Sequence, residues 1–258
     1  MPEVMQALEP RLVLFALVLT RTTGLFLALP MLSGEMFPLR LRAAAAAVIA
    51  FALSMPIPTA LAPHGAAQLG VAGLCELLVG AAIGLLVRLA LGAAEALGAL
   101  LSMQMVLGFG GMVDPLTQAE GPLAALFALV AWTLLLAGNG HHEMLRGMND
   151  SLRALPPGAA LRGGAEPFLL RLVESGGQLF AAALRIATPV AATLLGTNAA
   201  LALLARVAPK VNLLMLGLLI ASGVGLVGLA IAGPAMARSV SDHLTRALHQ
   251  MRAFAAGR

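Results

Sequence analysis

Hydrophobic positions in this chain run in long blocks separated by compact polar breaks, and the blocks set the expected elements. A bilayer core of about 30 Å is crossed by a helix of about 20 apolar residues. The first block covers residues 12–32 and gives way to Ser33-Gly34-Glu35-Met36-Phe37-Pro38, then Arg40 and Arg42. These residues favour a turn. A second block, 43–62, carries Pro56 and Pro58 near its far end, where they kink or stop a helix. Blocks one and two form a helical hairpin. The third, 69–107, contains no proline over 39 residues, which at helical rise is about 58 Å. Such a helix either breaks near Gly92 or projects well beyond the hydrocarbon.

Block four, 122–137, is short for a span. Residues 138–177 are the most polar part of the chain, with turns at Pro156-Pro157-Gly158 and Gly163-Gly164, and a short amphipathic helix is expected over 141–154. Block five covers 179–204, holds Arg185 and Pro189, and ends at Arg206-Val207-Ala208-Pro209-Lys210. Block six covers 211–232 and is expected to stop at Gly233-Pro234. Beyond it, 236–254 sets arginines 238, 246 and 252 beside Leu244, Leu248 and Met251, the pattern of an interfacial or partner-binding helix. The expected organisation is one integral membrane domain, 1–258, all-α, with about six helical segments arranged as hairpins and an amphipathic tail over 234–258. Six segments place both termini on one side. The nine basic residues of the termini and of loops 62–68 and 138–177, against four in the other loops, put that side in the cytoplasm.

One stretch departs from the pattern of apolar helix and polar break. Residues 103–115 read Met-Gln-Met-Val-Leu-Gly-Phe-Gly-Gly-Met-Val-Asp-Pro. Gly108, Gly110 and Gly111 weaken a helix and Pro115 forbids its continuation, so the chain turns here. Met103, Met105, Phe109, Met112 and Val113 are nevertheless apolar. Backbone that leaves a helix at membrane depth must be buried in protein or line a cavity. Unbranched methionines among glycines suit a deformable seal, although methionine commonly serves as plain core packing.

Composition sharpens the class. Hydrophobic residues make up 60% and charged residues 11% of the chain, where a soluble domain has about 25% charged. This is a membrane protein. The net charge of +4 is spread without any basic run, which argues against a nucleic-acid surface. Cys75 stands alone, so no disulfide or cysteine metal site is expected. The first block is longer than a signal peptide's usual apolar core of about 7–15 residues and contains Arg21, so it is expected to be retained.

Charges inside apolar blocks cost about 2.5–3.5 kcal/mol each at mid-helix, which makes Arg21, Glu76, Arg88, Glu95 and Arg185 candidates. Arg88 and Glu95, seven residues apart, share a helix face. A polar pathway is one reading; pairing between helices or subunits is the favoured one, because nothing aligns with these residues as a relay. His141, His142 and Glu143 invite a metal reading, but zinc sites on one helix usually use i, i+4 spacing. A turn and helix start fit better, and no metal is expected. Neither a nucleophile with a paired base nor a phosphate or dinucleotide loop is evident, so no enzyme activity and no cofactor are expected.

Several stretches together resemble the FliR family of flagellar biosynthetic proteins. They are Arg21 through Pro30 with Glu35 and Pro38; Glu95, Gln104-Met105, Gly108-Phe109 and Asp114-Pro115; Asn139-Gly140-His141; and Asn198-Ala199-Ala200-Leu201 with Arg206-Val207-Ala208-Pro209 and Asn212. Injectisome export proteins of the same superfamily share the Asp-Pro and Ala-Pro marks. The resemblance implies a component of the type III export gate in the bacterial inner membrane, at the flagellar basal body. It also implies assembly with FliP and FliQ, contact with FlhB, and passage of unfolded flagellar subunits. Family members are bent helical hairpins, and a pore plug lies before the Asp-Pro. Here the resemblance places the plug on Gly108, Phe109, Gly110, Gly111, Met112 and Val113, with nearby Met103 and Met105 as plug residues that help to fill the pore and Asp114 and Pro115 as the structural turn. Glycines at 110 and 111 depart from the small or polar residues common in relatives. An injectisome homologue and a structural scaffold without a pore-lining role are the alternatives. A small-solute transporter ranks lower, since no internal repeat is apparent.

Overall fold

The computed structural model describes residues 2–29, 38–58, 65–105, 121–159, 166–207 and 213–256. Among them there are seven helices and no strand: α1 Pro2–Ala28, α2 Leu39–Ser54, α3 Ala66–Gln104, α4 Pro122–Ala137, α5 Gly140–Ala154, α6 Glu166–Val207 and α7 Leu213–Ala255. The protein is an all-α membrane protein. Three helices are long and apolar enough to cross a bilayer, over Glu9–Ala28, Ala67–Gln104 and Leu219–Ala255. A fourth span results if α4 and α5, which meet at 67°, count as one.

Among the described residues that number of spans is lower than six, although each of the six expected apolar segments falls in a helix. Both α2 and α4 have only 16 residues, fewer than the about 20 that a span needs. The second block also helps less than its length suggests, because α2 ends at Ser54, just ahead of Pro56. Of the two alternatives for the third block, a break near Gly92 does not occur, and the helix is continuous over Ala66–Gln104. One glycine costs a helix about 1 kcal/mol, and buried Ala90, Leu91, Ala93, Ala94 and Leu97 hold α3 together around it. Nor does the chain stop at Gly233-Pro234: α7 carries Pro234 inside it. Proline removes one i→i−4 bond, and the residues beyond it, Met236, Val240, Leu244, Leu248 and Met251, continue a buried stripe at helical spacing. The tail, expected to be a separate interfacial or partner-binding helix, is continuous with the sixth block as the second half of α7. Helix α6 begins at Glu166, ahead of the expected 179.

The chain divides into two compact units. The first comprises Met1–Arg88, Gly140–Gly176 and Ala247–Arg258. In it α1 packs on α2, with Phe15 and Phe51 edge to face at 6.5 Å, and on the first half of α3. Small residues set the closeness of the α1–α3 crossing. A Cβ at Gly80 would overlap the carbonyl oxygen of Arg21, and one at Gly24 would lie 2.9 Å from the nitrogen of Ala81. Near contact of backbones through glycine is how apolar helices pack when water supplies no driving force.

The second unit comprises Leu89–Asn139 and Gly177–Arg246. Its core gathers Leu97 and Leu101 of α3, Met105 just past its end, Leu123 of α4, Leu194 of α6 and Met236 of α7. Helix α4 starts with Pro122 at a first-turn position, where a missing N–H costs nothing. The next N–H, of Leu123, donates to Ser102 Oγ on α3 at 3.2 Å. Helix α4 ends where Gly138 N–H donates to Leu134 at 2.9 Å, and Asn139, at φ 56°, turns the chain into α5.

Candidate functional site

Two constellations stand out, one in each unit. In the first unit Arg21 and Glu76 are both fully buried and form an ion pair between α1 and α3, Arg21 Nε donating to Glu76 Oε2. Their remaining capacity is met by the chain at and after α5. Arg21 Nη1 donates to Ser151 Oγ at 2.8 Å, Arg21 Nη2 donates to the Leu155 carbonyl at 2.9 Å, and Gly158 N–H donates to Glu76 Oε1 at 2.9 Å. A buried ion pair is tolerable only when its leftover donors and acceptors are satisfied in this way. Arg21 uses the three-pronged geometry of a guanidinium, which a lysine lacks.

In the same unit, the end of α7 clasps α5. Arg252 donates to Glu143 at 3.0 Å and to Asp150 at 3.1 Å, while Met251 is fully buried against Gly147. Glu143 also accepts from Arg146 at 2.7 Å. His141 and His142 lie exposed at the start of α5 with ring centroids 4.2 Å apart. Among the described residues no group of three His, Cys, Asp or Glu could hold a metal ion.

In the second unit the end of α3 is held by two distant helices. Met105 is fully buried, and Ser222 Oγ of α7 donates to its carbonyl at 2.8 Å. Asn198 Nδ2 of α6 donates to the Gln104 carbonyl at 3.4 Å. Met103, two residues earlier, is 69% exposed. Gly108, Phe109, Gly110, Gly111, Met112, Val113, Asp114 and Pro115 lie outside the described residues.

Of the five charges singled out in the sequence, Arg21 and Glu76 pair with each other. Arg88 and Arg185 are exposed, and Glu95 is half-buried further along α3. Sequence reasoning missed Ser151, Leu155 and Gly158, two of which contribute only backbone and so carry no side-chain signal. It also missed Ser222 and Gly225. Their signal was the run of small residues Ala221-Ser222-Gly223 in an apolar block, the pattern that marks close helix packing in membranes.

Known proteins match this chain along nearly its whole length. The flagellar biosynthetic protein FliR of Escherichia coli (strain K12) is 30% identical over 224 residues, 85% of this chain and 84% of that protein. FliR of Caulobacter vibrioides is 26% identical over 226 residues, 86% and 89% of the two chains. FliR of Bacillus subtilis is 30% identical over 145 residues, 55% and 56%. The pattern of the family described as Bacterial export proteins, family 1, matches residues 12–247, taking in Arg21, Glu76 and the Met105 anchorage, and the chain belongs to that family.

Proposed function

We propose that this chain is a component of the flagellar type III export apparatus. It forms part of the protein-conducting gate with FliP-like and FliQ-like subunits, contacts an FlhB-like protein, and passes unfolded flagellar subunits. The observation that carries this reading is the family match over residues 12–247, joined by relatives that are flagellar biosynthetic proteins. The site of action is the bacterial inner membrane at the flagellar basal body. The protein is a gate part and not an enzyme.

Within that gate, Gly108, Phe109, Gly110, Gly111, Met112 and Val113 act as a plug, with Met103 and Met105 at its root and Asp114-Pro115 closing the turn. Phe109 and Met112 fill the pore by soft apolar packing. Arriving substrate displaces them, and glycine lets the backbone follow. A scaffold without a pore-lining role is the second reading, favoured by the fully bonded Arg21–Glu76 pair. A scaffold would tolerate plug changes and lose assembly when Arg21, Arg88 or Arg185 is changed.

Affinity purification of the tagged full chain from membranes tests the gate assignment. FliP-like and FliQ-like subunits are expected in fixed proportion. Recovery of the chain without them contradicts the proposal.

A further inference from the structure

Helix α5 turns one face into the protein and the other away from it. Met144, Gly147, Met148, Ser151 and Leu152 are buried, with Ser151 bonded to Arg21 and Gly147 against Met251. On the opposite side His142, Arg146 and Arg153 are exposed, and Asn149 lies half-buried among them. Steps of 4, 3 and 4 residues place these four on one helix face. Both acids of α5 are turned to the flank, where Arg252 donates to Glu143 at 3.0 Å and to Asp150 at 3.1 Å. Arg146 reaches Glu143 from the other side at 2.7 Å, yet its side chain stays 65% exposed. Arg153 meets no acid among the described residues. The outward stripe therefore presents cations and amide or ring N–H groups, and no carboxylate.

What leads into α5 indicates what faces this stripe. Helix α4 is apolar along its 16 residues, and its Leu126, Leu129 and Leu136 are exposed, as suits contact with hydrocarbon. From Leu136 to Gly140 the chain extends at most about 14 Å, and the headgroup layer on each side of a bilayer is about 5–8 Å thick. The start of α5 is thus within reach of that layer. Leu145, beside the stripe, is exposed as well, which fits a membrane surface better than open water.

We propose that His142, Arg146, Asn149 and Arg153 bind the phosphate of anionic phospholipid headgroups and hold α5 against the membrane surface. Each guanidinium offers a fork that matches two phosphate oxygens, and His142 and Asn149 add N–H donors. Anionic lipid attracts basic residues at the surface, and salt screens the attraction. The inference needs only a membrane protein and is independent of the plug.

The test uses the full chain in neutral detergent, with its melting temperature followed as phosphatidylglycerol or phosphatidylcholine is added. A ligand that binds the folded state alone raises that temperature. Phosphatidylglycerol should raise it more than phosphatidylcholine, and less so in high salt. Arg153→Gln should weaken the apparent affinity for phosphatidylglycerol about fivefold, and Arg146→Gln with Arg153→Gln about twentyfold. Arg238→Gln with Arg246→Gln, exposed on α7, should leave it within about twofold. If the double α5 variant does not fold, Arg153→Gln decides alone, since it breaks no ion pair among the described residues. An equal response to the two lipids, or an unchanged affinity in the α5 variants, overturns the inference. Stabilisation by polyglutamate and not by phosphatidylglycerol also overturns it, and assigns the face to an acidic protein segment.

Discussion

Arg21 and Glu76 show what single residues contribute. Each is expensive alone in an apolar helix, and together they are fully buried with Ser151, Leu155 and Gly158 meeting their other atoms. Removing one member leaves an uncompensated buried charge, which costs about 3–5 kcal/mol. Glu76→Ala should therefore lower the thermal stability of the detergent-purified complex sharply; an unchanged melting temperature would refute this. Arg21→Lys keeps the charge, but one ammonium cannot reach a carboxylate, a hydroxyl and a carbonyl in the guanidinium's fork geometry. It should fall between the natural chain and Arg21→Ala in the same melt. Both residues were legible in the sequence as charges in apolar blocks. Their partners were not, since Ser151 lies 130 residues from Arg21 and a carbonyl or an N–H leaves no mark on a sequence.

Among the elements, α4 is the clearest case of legibility: Pro122 and Gly138 bracket an apolar run, and the helix occupies Pro122–Ala137 as expected. The start of α5 at Gly140 was legible from Asn139-Gly140 and the change to amphipathic spacing. Helix α7 was misread at Pro234 because a proline's effect was weighed locally, whereas burial of Met236, Val240, Leu244, Leu248 and Met251 acts over the whole second half. The distal end of α7 is then a structural member of the first unit. Met251→Ala opens a cavity against Gly147 and should cost about 2–5 kcal/mol. Limited proteolysis should show faster cleavage near residue 250 in that variant; cleavage at the natural rate would contradict the packing. Arg252→Ala should act in the same direction more weakly, since Arg252, Glu143 and Asp150 are all partly exposed.

For the molecule as a whole, hydropathy identified a membrane protein, and the described residues hold three helices of spanning length, or four spans with the bent pair, against six expected. Blocks of apolar residues report burial in lipid or in protein alike, and only helix length and the bend of 67° between α4 and α5 separate the two. The class of function came from the order of weak marks along the chain, and the match over 12–247 fixes the family. The gate itself is the step that geometry alone does not name, and it rests on the stretch where helical composition gives way to glycine and methionine. Replacing Gly110 and Gly111 with bulky residues should alter closure or export in motility and secretion assays, because side chains there restrict the backbone and crowd the seal. The most direct measurement is ion conductance through export complexes carrying the natural chain or a chain lacking residues 108–113. The account expects assembled complexes with the deletion to leak ions at rest; unchanged conductance with unchanged export would contradict it.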